Sequence, residues 1–233
     1  MTRVGLLVCG ALPDDYLSIA GDFTEMFSKL LGDCGIDLVS YNAFLGELPD
    51  DPSECDGYVI GGSKSAVYDD EKWIRDLEAF VRSTADAAVP VFGVCFGLQV
   101  MATALGGTVV EYDGGWGAGV HTVAITESRS WMDGESDSVS LIMIHQDQIV
   151  ALPDGALVLG SSEHCANFLV EFSPTHIGIQ GHPEFNAAFA EYVYRKQRGE
   201  FGLLADEAIA SLIVPVDDHV VASWMCRLIA GIA

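Results

Sequence analysis

The sequence predicts an α/β protein: an open, mostly parallel sheet with helices on both faces, plus an antiparallel extension in its second half. Three observations carry that expectation. Short apolar runs alternate with helical spacing over the first half, the pattern of parallel strands joined by crossover helices. In the second half, closely spaced strand candidates are divided by turn residues instead. No low-complexity block and no repeat of solenoid length interrupts the 233 residues, so residues 1–233 are expected to form one domain around a continuous core.

Taken in order, Val4–Cys9 reads as the first buried strand. Arg3 before an apolar run imitates a signal peptide, but the run is short, contains glycine and stops at Pro13-Asp14-Asp15 without a clear cleavage site. Helical spacing covers Tyr16–Leu31, with Ile19, Phe23, Met26, Phe27 and Leu30 along one side. Ile36–Ser40 and Gly57–Ile60 read as strands, Glu71–Arg82 as a helix, and Val89–Val94 as the next strand. A helix after Cys95 runs to about Leu105 and closes at Gly106-Gly107. Further strands are expected at Thr108–Glu111, Val120–Thr126, Val139–Ile144, Ala156–Gly160, Phe168–Glu171 and His176–Gln180, the last returning to the central sheet. Helices at Ala187–Arg198 and Asp218–Ala230 finish the chain. The second of these is apolar on most sides and therefore belongs in the core.

Charge narrows the function classes. Eleven basic residues face 34 acidic ones, a formal net charge of −23, which repels nucleic acid and anionic lipid. The acidic surface serves solubility, with a basic docking partner as the alternative. No apolar stretch is long enough to span a bilayer. The six cysteines form no CxxC pair and no zinc spacing with histidine. Cys9 and Cys226 read as buried thiols in apolar surroundings, and a reduced, cytoplasmic compartment is the expectation. No metal or cofactor is called for.

The chemistry concentrates in Pro90-Val91-Phe92-Gly93-Val94-Cys95-Phe96-Gly97-Leu98-Gln99. An apolar strand runs into G-x-C-x-G and straight on into helical spacing, a nucleophile elbow with sulfur in place of oxygen. The sharp turn crowds the positions two before and two after the nucleophile, so both must be glycine. It also sets the thiol at a helix N-terminus, where positive dipole density favours thiolate, and aims the Phe96 amide at a developing oxyanion. A base is supplied by Gln180-Gly181-His182-Pro183-Glu184. Pro183 biases His182 toward extended backbone, and residues two apart then project to one side, so Glu184 can reach the His182 ring. The carboxylate fixes the tautomer and leaves the other nitrogen for Cys95. Gly61-Gly62, at the end of a strand, is either an ordinary turn or a backbone that brings an N–H close to substrate, with Gly62 as second oxyanion donor.

These segments together resemble the class I, triad-type glutamine amidotransferases. The likeness runs from Val4 to Glu184 and includes Gly61-Gly62-Ser63, Gly93–Gln99, Leu105-Gly106-Gly107, His145-Gln146-Asp147-Gln148 and His182-Pro183-Glu184. The resemblance implies a flavodoxin-like sheet and hydrolysis of the glutamine side-chain amide through a γ-glutamyl thioester on Cys95. It also implies substrate contacts from Gly61, Gln99, Ile144 and His145, and a separate synthase to consume the ammonia. Position 98 departs from the family pattern: Leu98 stands where histidine is common. No synthetase segment follows residue 185. The stand-alone members that this chain resembles include γ-glutamyl peptidases, which cleave larger γ-glutamyl amides and need no synthase. A non-catalytic regulatory module is a third reading, and a generic cysteine protease or esterase a fourth, because fold and elbow alone choose no substrate.

Other polar residues carry less. His145 either lines the pocket or ties a loop, the structural role being preferred. His164 and Cys165 lack further ligands for a metal. His121 and His176 read as half-buried strand neighbours, and Trp73 and Trp116 as core or pocket rim.

Overall fold

The computed structural model describes residues 1–132 and 137–231. The first half lays down β1 (Arg3–Leu7), α1 (Asp14–Ala20), α2 (Phe23–Leu30), β2 (Asp37–Tyr41), β3 (Gly57–Ile60), α3 (Lys72–Asp86), β4 (Val91–Val94) and α4 (Phe96–Ala104). There follow β5 (Thr108–Glu111), β6 (Gly117–Ile125), β7 (Ser138–His145), β8 (Asp147–Ala151), β9 (Leu157–Ser161), β10 (Leu169–Ser173) and β11 (His176–Ile179). The chain then turns helical through α5 (Ala187–Lys196), α6 (Arg198–Phe201), α7 (Leu204–Ser211) and α8 (Asp218–Ala230).

Nine strands form one sheet in the order β2-β1-β3-β4-β11-β10-β9-β6-β7. The first five are parallel, and every pairing beyond β11 is antiparallel. The expected architecture is therefore present: a flavodoxin-like parallel half and an antiparallel extension. Every residue of the central strands β3, β4 and β11 is buried, whereas the edge strand β2 is half-exposed, because helices cover both faces of the central strands, which are accordingly almost wholly apolar. One core layer packs α2 and α8 on the sheet around Phe27, Trp224 and Met225. The opposite layer holds α3 and α4 around Phe80, Leu98 and Met101. A third cluster seats α5 and α7 near β6 and β7.

The structure corrects several expectations. Tyr16–Leu31 is two helices, not one. Gly21, at φ 81°, ends the first, and Asp22 caps the second in a reciprocal box with Glu25; such a cap starts a helix afresh. Ile19 accordingly lies on the exposed surface and not on a shared apolar stripe. Three elements escaped the sequence pattern. β8 pairs only with β5, in a separate two-stranded sheet, and α6 and α7 lack the length and periodicity that make a helix legible. Cys226 is not a free thiol: it is joined to Cys34 across 192 positions, bridging α8 to the turn after α2 with Cα atoms 6.1 Å apart. Local apolarity cannot distinguish a buried thiol from a half-cystine whose partner is distant in sequence. His176 is fully buried, where half-burial was expected. Its Nε2–H donates to Thr84 Oγ1 at 3.0 Å, since that hydroxyl gives its own proton to Val81. Among the described residues no helix is long and apolar enough to cross a membrane.

Candidate active site

A cavity of about 670 Å³ opens at the C-terminal ends of the parallel strands, where ligands sit in open α/β sheets of this winding. Its floor is made where the chain leaves four strands: Cys9 after β1, Gly62 after β3, Cys95 after β4 and His182 after β11.

Cys95 has φ 53° and ψ −103° and caps the N-terminus of α4. Apart from Ala88 it is the one non-glycine at positive φ among the described residues, a strained backbone of the kind that exposes a nucleophile. The two flanking glycines are sterically enforced. A Cβ on Gly93 would overlap the Gly97 backbone, and one on Gly97 would overlap the Ile60 carbonyl oxygen and stand 3.0 Å from the Ile60 side chain. Strand, turn and helix thus interlock without room for a methyl group.

His182 reaches the same place from the other side of β4. Its N–H donates to Ile142 O at 2.9 Å, hooking the segment after β11 onto β7. Gly181 lets it pass: a Cβ there would stand 2.9 Å from both Leu141 and Phe168. The ring's Nδ1–H donates to Glu184 Oε1 at 2.8 Å, and the Cys95 sulfur is near enough to favour the ring's charged form. Both His182 and Glu184 are buried. Burial works against a charged imidazole here. The Glu184 carboxylate and the Cys95 sulfur override it and raise the His182 pKa to about 10.

Gly62 completes the cluster. A Cβ on it would lie 3.0 Å from His182 Cε1 and 3.9 Å from the Cys95 Cβ. The preceding N–H, of Gly61, is committed to Leu7 O at 3.1 Å, and Gly61 does not line the cavity. The Phe96 N–H sits at the first position of α4, where helix geometry leaves the donor without an intrahelical acceptor.

Gln99, Ile144 and His145 all line the cavity. The Gln99 amide donates to Asp147 O at 2.9 Å and to Gln180 Oε1 at 3.2 Å, so it also ties α4 to the two segments beside it. His145 is buried, its Nδ1–H donating to Asp147 O at 3.1 Å. Burial, against the help of that bond, pushes its pKa down to about 3. It is a neutral ring that braces the turn between β7 and β8. Leu98 faces away from the cavity, fully buried against Gly178 of β11. The departure from histidine at this position therefore alters the core and not the cavity lining.

Sequence reasoning missed two features. Phe185 stacks on the His182 ring, centroids 4.1 Å apart and planes within 8°. Its place directly after Glu184 was the available signal. Tyr68 donates to Asp147 Oδ1 at 3.0 Å, joining the loop after β3 to the start of β8; nothing in sequence links positions so far apart. Trp73 and Trp116 both reach the cavity. Among the described residues, no group of three or more His, Cys, Asp or Glu is placed to hold a metal.

Comparison with known proteins places this architecture in a family. The chain belongs to the class-I glutamine amidotransferase family, whose model matches residues 12–195. It is 29% identical over 173 residues to γ-glutamyl peptidase 5 of Arabidopsis thaliana, covering 71% of this chain and 69% of that one. Against the glutamine-hydrolysing GMP synthase of Lactococcus lactis it is 28% identical over 172 residues, 72% of this chain but 32% of that protein. A glutamine amidotransferase from Thermotoga maritima superposes with a TM-score of 0.78 over 98% of both chains at 18% identity, a likeness of fold.

Proposed function

We propose that residues 1–233 form a single-domain hydrolase of γ-glutamyl amides, of the γ-glutamyl peptidase kind, with Cys95 as nucleophile, His182 as proton carrier and Glu184 as its orienting carboxylate. The observation that carries the reading is the convergence of Cys95, His182 and Gly62 on one point of a cavity floor, with Glu184 holding the imidazole.

The Cys95 thiolate, stabilised by the adjacent imidazolium and the α4 N-terminus, attacks the γ-carbonyl carbon. A C–S bond forms while the carbonyl oxygen takes negative charge, met by the Gly62 and Phe96 N–H groups. The C–N bond then breaks, and the nitrogen leaves as an amine after taking the proton from His182 Nε2. Water attacks the thioester, giving its proton to His182. The C–S bond breaks, glutamate departs and the thiolate–imidazolium pair is restored. Gln99, Ile144 and His145 shape the γ-glutamyl end of the cavity.

Coupling to a separate synthase stood first in the reading from sequence. Two findings favour the peptidase reading instead. The relative named a γ-glutamyl peptidase matches over most of its own length, whereas the synthase matches over a third of its own. The cavity also lies within the size range of drug-sized ligand sites, larger than glutamine alone requires.

The test is an intact-mass search for a γ-glutamyl adduct, with glutamate release measured in parallel, across a panel of γ-glutamyl amides. Wild-type protein should accumulate the adduct and release glutamate, and Cys95→Ala should do neither. Absence of both from the wild-type protein with every amide would sink the proposal.

A further inference from the structure

The cavity is chemically two-sided, and the sides meet at His182. Toward the loop after β3 and the β7–β8 turn lie polar groups: Tyr68, Glu71, Gln99, Glu111 and Asp147. On the other side the surface is mainly aromatic and aliphatic, with Gln197, which donates to the Tyr16 hydroxyl at 3.3 Å, and Glu200 at its end. Phe185 stacks on the His182 ring at 4.1 Å, Phe189 stands 4.6 Å from Phe185, and Tyr16 is 6.1 Å from Phe189. Leu12, Phe23 and Val193 extend this wall. Lys64 is the sole basic Lys or Arg side chain among the described lining residues, and its ammonium is held 5.4 Å over the Tyr16 ring at the rim.

Resting on the proposed γ-glutamyl hydrolysis, we infer that this aromatic wall is the leaving-group subsite, and that the preferred substrates are γ-glutamyl amides of neutral, apolar amines, aromatic ones above all. Geometry and charge both support it. His182 must hand its proton to the departing nitrogen, so the amine's substituent projects from beside that ring. Phe185 covers one face of the ring, and the wall continues outward from there. The γ-glutamyl half carries both an ammonium and a carboxylate group, which need the hydrogen-bonding groups of the polar side and not the wall. A carboxylate on the leaving amine would be desolvated against aromatic carbon with one rim ammonium to answer it, in a protein of net charge −23. An aryl or alkyl substituent instead gains burial area and edge or stacking contacts.

The experiment compares kcat/KM for glutamine, γ-glutamyl methylamide, γ-glutamyl benzylamide, γ-glutamyl-glutamate and γ-glutamyl-putrescine, while the Cys95 adduct is followed by intact mass. The benzylamide is expected to exceed glutamine and γ-glutamyl-glutamate by about 10- to 100-fold, the range one well-filled apolar pocket supplies. Leu12→Lys, in the turn before α1, should shrink the ratio of benzylamide to γ-glutamyl-glutamate several-fold, and Leu12→Ser should shrink the ratio of benzylamide to glutamine. If the adduct forms but rates are level across the series, or highest with the anionic or cationic amine or with glutamine, the subsite assignment is wrong while the hydrolase reading stands. If no member yields an adduct, the hydrolase reading fails and takes the subsite with it.

Discussion

Replacing Gly97 by alanine sets two effects of opposite sign against each other. Gly97 lies inside α4, and its backbone is not in the left-handed region. Alanine should therefore favour the helix by about 1 kcal/mol. Against that, the new methyl group would overlap the Ile60 carbonyl oxygen, with the Ile60 carbonyl carbon at 2.9 Å and its Cβ at 3.0 Å. Those atoms cannot rotate away. Ile60 ends β3, which is paired on one side to β1 and on the other to β4. Overpacking against such a neighbour costs about 3 kcal/mol, the upper end of the usual range, leaving a net loss of about 2 kcal/mol. With a urea m-value of about 2–3 kcal/mol/M, the unfolding midpoint falls by roughly 0.7–1 M. Relief comes by lifting the start of α4 away from the sheet, which carries Cys95 with it. If Cys95 is the nucleophile as proposed, a displacement of about 1 Å there should slow adduct formation by about 100-fold. Gly199→Ala is the matched control: a helical glycine with open space around it, where alanine should be neutral or stabilising by up to about 1 kcal/mol. Urea unfolding and the adduct rate read both variants. Gly97→Ala with a wild-type midpoint and a wild-type adduct rate would refute the argument that the elbow is held by contact with Ile60.

Two further predictions concern protons. His182 is raised to about 10 against burial chiefly by the Glu184 carboxylate, and in the proposed mechanism the imidazolium is the form that protonates the leaving amine. The alkaline limb of kcat/KM should therefore lie well above neutrality, and Glu184→Gln should move it toward neutrality and lower the rate by about 100-fold or more; a pH–rate profile with an unmoved limb would contradict this. His176 is held neutral by burial, its pKa lowered to about 4. Below about pH 6.5 the unfolded chain binds a proton that the native ring refuses until about 4, so stability falls with acidification by up to about 3 kcal/mol from this residue. Urea unfolding of His176→Gln at pH 7 and pH 4.5 should show a smaller acid loss than wild type; an equal loss would reject the assignment.

The parts of this protein that the sequence made legible are those where chemistry is written in consecutive residues. The elbow could be read from Gly93-Val94-Cys95-Phe96-Gly97 because a strand-to-helix reversal admits no side chain at its flanks, and both clashes appear when methyl groups are placed there. The pairing of His182 with Glu184 followed from a proline that keeps the backbone extended, and the 2.8 Å bond lies between residues two apart. The central strands were legible for a related reason: burial on both faces leaves runs that are apolar but for His176 at the start of β11. Elements without such local rules were missed. β8 is defined by pairing with β5 alone, and Gly21 inside an unbroken apolar period gave no warning that Asp22 and Glu25 would begin a second helix.

The sequence by itself determined the sheet type, the site of the strained cysteine and the pairing of His182 with Glu184, since each rests on backbone sterics or on contacts a few residues long. Tertiary structure alone decided what surrounds them. It inserted β11 between β4 and β10 and so carried His182 across 87 positions to Cys95. It turned Leu98 into the core, joined Cys34 to Cys226, and set Tyr16, Phe185 and Phe189 side by side as one aromatic wall. Those outcomes depend on which distant segments share a face once helices pack on a twisted sheet, a property of the whole chain's packing that no local pattern encodes.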